Sequence, residues 1–168
     1  MENVILVPQK DVQTAGTLLD SLHRIAERGE IELRGAAIVE RHPDGRWNFP
    51  EETAQPSYRG TITSGAVGAA IGLLAGPGGL LLGAAAGLLV RSSVEIGDAE
   101  DVETILHALP RMVPPGATAL LADLYETSPD AVNSTLEASG ARALRMSRAD
   151  VERDLAAAKK QLEQARRR

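Results

Sequence analysis

The chain has no cysteine and almost no aromatic residue. Without thiols it can form no disulfide, no thiolate metal site and no cysteine nucleophile. The compartment stays open, because such a chain folds in either redox environment. Aromatics make up 2 % of the 168 residues, namely Trp47, Phe49, Tyr58 and Tyr125. A core built from this sequence is therefore aliphatic, and a platform for stacking bases or sugars lacks its rings. Histidine is equally sparse. His23, His42 and His107 lie far apart, and no HxH, HExxH or closely spaced acidic metal pattern occurs. No metal and no cofactor is expected.

Catalytic signatures are missing too. There is no GxSxG elbow. Gly76-Pro77-Gly78-Gly79 is not followed by Lys as in a P-loop, so it reads as a turn rather than a phosphate cradle. Asp98, Glu100, Asp101 and Glu103 cluster at an expected helix start, where capping and the helix dipole account for them. No enzyme is expected. The N-terminus has no basic leader and enters Asn3-Val4-Ile5-Leu6-Val7 directly, so a cytoplasmic start is the default reading.

The net charge of −5 is unevenly placed. Residues 91–141 carry nine acidic and two basic side chains, and residues 142–168 carry nine basic and four acidic. An acidic middle with a basic tail argues against a nucleic-acid partner. The tail suits an anionic surface or a neighbouring acidic face.

Periodicity and turn chemistry give the expected elements. Val4–Val7 is a short buried strand ended by Pro8. Asp11 caps a helix carrying Val12, Ala15, Leu18, Leu19, Leu22, Ile25 and Ala26 on one face, and Gly29 stops it. Ile31–Glu40 is a strand, alternating at first and then continuously apolar. His42-Pro43-Asp44-Gly45 is a turn, and Trp47–Phe49 a short return strand. A helix follows over 98–112, then a strand over 117–125. Ser128-Pro129 opens a helix that ends near Ser139 and Gly140. A short strand over 141–146 precedes a capping-box variant, Ser147-Arg148-Ala149-Asp150, and a last helix. In that helix Val151, Leu155, Ala158, Leu162 and Ala165 form a two-heptad seam, for packing on the domain or on a partner helix.

With the middle set aside, the order is strand, helix, strand, strand, helix, strand. This is the split pattern of a ferredoxin-like α+β sandwich. Its first half is 1–42 and its second half 115–147. An insertion occupies 43–114, and the C-terminal helix runs over 148–168.

The insertion carries most of the information. From Gly60 to Val90 no residue is charged. Gly68, Gly72 and Gly76 recur every fourth residue, and so do Gly79, Gly83 and Gly87. On a helix this spacing opens a groove where another backbone can approach closely. Each glycine costs about 1 kcal/mol relative to Ala in a helix interior, so tight packing must compensate. Leu73, Leu74, Leu80, Leu81 and Leu82 supply apolar surface. Pro77-Gly78-Gly79 breaks the segment into halves of about 12 residues, or about 18 Å as helix. A hydrocarbon core of about 30 Å exceeds that length. If both flanks belong to one sheet, a single membrane crossing would separate them, whereas a returning hairpin would not.

The sequence also resembles a family of uncharacterised bacterial glycine-zipper proteins labelled predicted membrane proteins of unknown function. The resemblance rests on the opening strand Val4–Val7, on Ile31-Glu32-Leu33 with Ala36-Ala37-Ile38-Val39, and on the Gly/Ala/Leu segment. It continues through Val94-Glu95-Ile96-Gly97-Asp98, Pro115-Gly116-Ala117-Thr118-Ala119-Leu120-Leu121 and Leu144-Arg145-Met146-Ser147. It implies a glycine-rich, membrane-associated domain, and neither catalytic residues nor a cofactor.

The expectation is a non-enzymatic protein that associates with itself through the glycine-zipper hairpin. Three settings stay open for the hairpin: a homo-oligomeric interface, a membrane approached from its inner face, and an ordinary intramolecular core helix pair. A small-ligand-binding sensor of ferredoxin-like fold is the alternative, and a polar, concave cluster on the sheet face would mark it.

Overall fold

A computed structural model describes residues 1–48, 68, 113–153, 156 and 160. The elements are β1 (Glu2–Gln9), α1 (Val12–Glu27), β2 (Ile31–Arg41), β3 (Trp47–Asn48), β4 (Thr118–Glu126), α2 (Asp130–Ala138) and β5 (Leu144–Ser147). Helix α3 follows over 148–153. The described fold is α+β, with a five-stranded antiparallel sheet in the order β3-β2-β4-β1-β5. The expected helix over 98–112, Phe49 of the expected return strand, and the glycine-rich segment apart from Gly68 lie outside the described residues.

Local chemistry sets most boundaries. The Asp11 carboxylate accepts the Thr14 N–H at 2.8 Å, and the Thr14 hydroxyl accepts the Asp11 N–H at 3.3 Å. This reciprocal cap starts α1 where the sequence placed it. Gly29, at φ +74°, lets the chain turn out of α1 into β2. The Ser147 Oγ accepts the Asp150 N–H at 3.1 Å and begins α3.

Several boundaries move, β2 and β4 by one residue. β1 runs through Pro8 to Gln9 instead of stopping at Pro8. β5 pairs only with Asn3–Leu6, so Pro8 lies beyond that ladder, where a strand tolerates a missing donor. Helix α2 begins at Asp130, one residue later than expected, with Ser128 Oγ accepting the Asp130 N–H at 3.3 Å. β5 covers 144–147 instead of 141–146, because the chain leaving Gly140 first bonds back to α2 through the Ala141 N–H.

Side-chain alternation divides the sheet into two faces. On the first, Ile5 and Val7 of β1, Ala36 and Ile38 of β2, and Leu120, Ala122 and Leu124 of β4 pack against α1 and α2. Leu18, Leu19 and Leu22 of α1 and Val132 and Leu136 of α2 close this layer. On the second face, Val4, Leu6, Val39, Ala119 and Leu121 pack with Val113 and with Val151 of α3. The ladder between β2 and β4 slips by one residue between Leu33 and Gly35. Before that bulge Ile31 and Leu33 face the helices; after it Ala36 and Ile38 do. The slip explains why β2 alternates first and then reads as continuously apolar.

Among the described residues, no helix is long and apolar enough to cross a membrane.

Candidate functional site

Of the eleven contact residues expected from the sequence, only Gly68 is described; it is helical and half-buried. Gly72, Gly76, Gly79, Gly83, Gly87, Leu73, Leu74, Leu80, Leu81 and Leu82 lie outside the described residues. What the structure does fix is where the insertion joins the body. Arg41 ends β2, and Trp47 of β3 pairs with it on one side. On the other side the Arg41 N–H donates to the Ala117 carbonyl at 2.8 Å, and its carbonyl accepts the Gly116 N–H at 2.6 Å. Its guanidinium donates to the Val113 carbonyl at 3.2 Å and lies 5.4 Å from the Trp47 ring centroid. Chain departure and chain return therefore meet at one residue. Gly116, at φ +87°, makes the turn that brings Val113 back to this point.

The histidines do not converge. His23 is half-buried on α1, with Nδ1 3.1 Å from the Leu19 carbonyl. His42 is exposed in the turn before β3, and His107 lies outside the described residues. Among the described residues, no group of three or more His, Asp or Glu could hold a metal ion.

Two carboxylates of β4 are completely buried, one on each face. Glu126 belongs to the helix-covered face. Asn3 Nδ2 donates to its Oε1 at 2.7 Å, and Arg145 places Nε 2.9 Å from Oε1 and Nη2 3.4 Å from Oε2. Arg145 also donates to Asn133 Oδ1 of α2 at 3.1 Å, so β5, β4, β1 and α2 share one polar junction. The chain's amino terminus joins it by donating to the Glu126 carbonyl at 2.5 Å.

Asp123 belongs to the second face, beside Val4. Arg148 Nη1 lies 3.3 Å from its Oδ2, yet neither carboxylate oxygen accepts a hydrogen bond. The Arg148 guanidinium also donates to Glu152 at 2.8 Å. That bond, with Asp123 and Glu2 nearby, holds Arg148 more firmly protonated than a free guanidinium. Toward the rim, Arg34 donates to Glu2 at 2.5 Å and sits 5.7 Å from the Tyr125 ring centroid. The Arg34 hydrogen bond and charge hold the Glu2 carboxyl below its usual range.

A groove of about 970 Å³ separates α1 from α2. Its walls include Thr17, Ser21, Thr135 and Ser139. These hydroxyls donate to carbonyls of their own helices, those of Gln13, Thr17, Ala131 and Thr135. Their donors are spent locally. The groove lies on the helix layer and not on the sheet face where a sensor's polar cluster was sought.

Comparison with protein-family models, with curated proteins and with solved structures finds no match for this chain.

Reading from the sequence missed both buried carboxylates and both arginines that meet them. One signal was present: Asp123 interrupts an otherwise apolar run from Ala119 to Leu124. Nothing local pairs it with Arg148, because that contact spans two intervening elements.

Proposed function

We propose that the protein is a non-enzymatic, self-associating protein whose α+β body carries a glycine-zipper hairpin, residues 60–90, as the contact element. The body is a platform of ferredoxin-like topology. The order β2-β4-β1-β5, with α1 and α2 on one face, supports that reading. Kinship with the glycine-zipper family rests on the sequence features quoted above.

One observation carries the proposal: a stretch without charge and with glycine at every fourth residue leaves the body and returns to it at Arg41. Both flanks belong to one sheet, so both lie on the same side of any bilayer. A returning path gives each half about 18 Å of helix, against a hydrocarbon core of about 30 Å. Those lengths favour packing between copies over spanning. A membrane-bound form would lie at the inner face, with the body in the cytoplasm.

The test measures the particle mass of the intact protein by light scattering, with and without detergent, after cell fractionation. A multiple of the 17.7 kDa chain mass is expected, and Gly72→Leu with Gly83→Leu should reduce it. An oligomer that needs no detergent places the hairpin in a protein interface; one recovered only with detergent places it in lipid. A monomer under both conditions, or an assembly untouched by the double substitution, refutes the proposal.

A further inference from the structure

We propose that the Asp44–Gly45 step, in the turn between β2 and β3, is a site of spontaneous aspartate isomerisation that the Arg46 guanidinium holds in check. The sequence supplies the reacting pair. No other Asp-Gly step occurs in the chain. A glycine amide has no side chain to hinder its attack on the preceding carboxyl. The Asp44 side chain is 48 % exposed, so water reaches the site.

The chemistry needs no other reagent. The Gly45 nitrogen gives up its proton and bonds to Asp44 Cγ, and a carboxyl oxygen leaves as water. Water then opens the five-membered imide at either carbonyl, which restores aspartate or forms isoaspartate. One water leaves and one enters, so the composition is unchanged.

The fold engages both reacting groups elsewhere. The Gly45 N–H, whose proton must depart, donates to the His42 carbonyl at 2.8 Å. Asp44 Oδ1 accepts the Arg46 N–H at 3.0 Å, and Oδ2 accepts Arg46 Nε–H at 2.6 Å. The Arg46 N–H above all, and then its guanidinium, hold the Asp44 carboxyl below its usual range. An ionised carboxylate is a poor target, because it must be protonated before its oxygen can leave as water. The restraint is partial. The Arg46 side chain is 64 % exposed, and an ion pair so open to solvent is weak.

The position gives the product a consequence. Isoaspartate routes the backbone through Cβ and Cγ, adding one atom to a turn closed by the His42 N–H on the Arg46 carbonyl at 2.7 Å. That closure leads directly into the pairing of Trp47 with Arg41.

The test incubates the full chain in heavy-oxygen water at neutral pH, folded and in concentrated urea, and digests it in ordinary water. Each turnover leaves one heavy oxygen on the peptide holding residues 42–46, read by mass spectrometry. Asp44→Glu, which closes no five-membered ring, gives the background. The folded parent should label more slowly than the parent in urea. Folded Arg46→Met should label several-fold faster than the folded parent, with the two chains alike in urea and with equal hydrogen-exchange protection of the His42 amide. The separated isoaspartyl form should lose that protection. The proposal fails if the folded parent labels as fast as in urea, or if labelling never exceeds the Asp44→Glu background. It fails equally if Arg46→Met leaves the rate unchanged or raises it only by stripping the His42 protection, or if the isoaspartyl form keeps that protection.

Discussion

Glu126 and Asp123 stand three residues apart on one strand, equally buried, and are treated in opposite ways. On the helix-covered face the carboxylate is bonded by an asparagine and an arginine, and the arginine is itself fixed to α2. On the other face the carboxylate has a charge near it and no hydrogen bond. The difference follows from what covers each face. Two long helices frame the first, and their side chains can be positioned in advance of Arg145. The described cover of the second is Val113 and the start of α3, which bring one guanidinium and divide it between Asp123 and Glu152. A buried charge inside a hydrogen-bonded network helps to fix geometry; one that is only paired bears more of its desolvation cost.

The largest effect should come from breaking the hydrogen-bonded junction at Glu126. Arg145→Met leaves the Glu126 carboxyl enclosed without its arginine, and should lower unfolding free energy by about 3–5 kcal/mol in urea titrations. Next come the apolar layers. Leu19→Ala on the first face and Leu121→Ala on the second should each cost about 2–5 kcal/mol, since both residues are fully buried. A much smaller loss for Leu121 would mean that the second face is not a core. Arg148→Met should cost less than Arg145→Met in the same titration, because it removes an ion pair without a hydrogen bond while Arg145 bonds both Glu126 and Asn133. Equal losses would erase the contrast between the faces.

The smallest effect is at the acid end. The Thr14 amide holds the Asp11 carboxyl below its usual value, and Arg34 does the same for Glu2. Ordinary carboxyls titrate near pH 4. A depressed folded value means each group binds its proton less readily folded than unfolded. Their contribution is therefore complete above roughly pH 5 and is lost as the pH falls through the folded values. Thermal midpoints recorded from pH 5 down to pH 2 should fall less steeply for Asp11→Asn and Glu2→Gln than for the parent chain.

Most of the body was legible from residue patterns. The apolar spacing of α1, its Asp11 cap and Gly29 stop, the His42–Gly45 turn and the Val132/Leu136 face of α2 are local signals, and each appears where the sequence placed it. Strand ends were less legible, because β1 and β5 take their limits from partners distant in sequence. The bulge at Arg34 was visible only as a change of rhythm in β2. The junctions at Glu126 and Asp123 were not legible at all. Charge, burial and pairing across 19 and 25 positions depend on the assembled sheet, and neither arginine sits in a pattern that names its partner.

The meeting of departure and return at Arg41 makes the body a socket. Closing a ring of chain at a fixed gate has an entropic cost that grows by only about 0.6 kcal/mol for each doubling of its length. Length alone therefore changes little at the gate. A longer or shorter connection between positions 48 and 113 can close at the same gate. Such an architecture lets the length between those positions change while the strands that form the gate keep the same register.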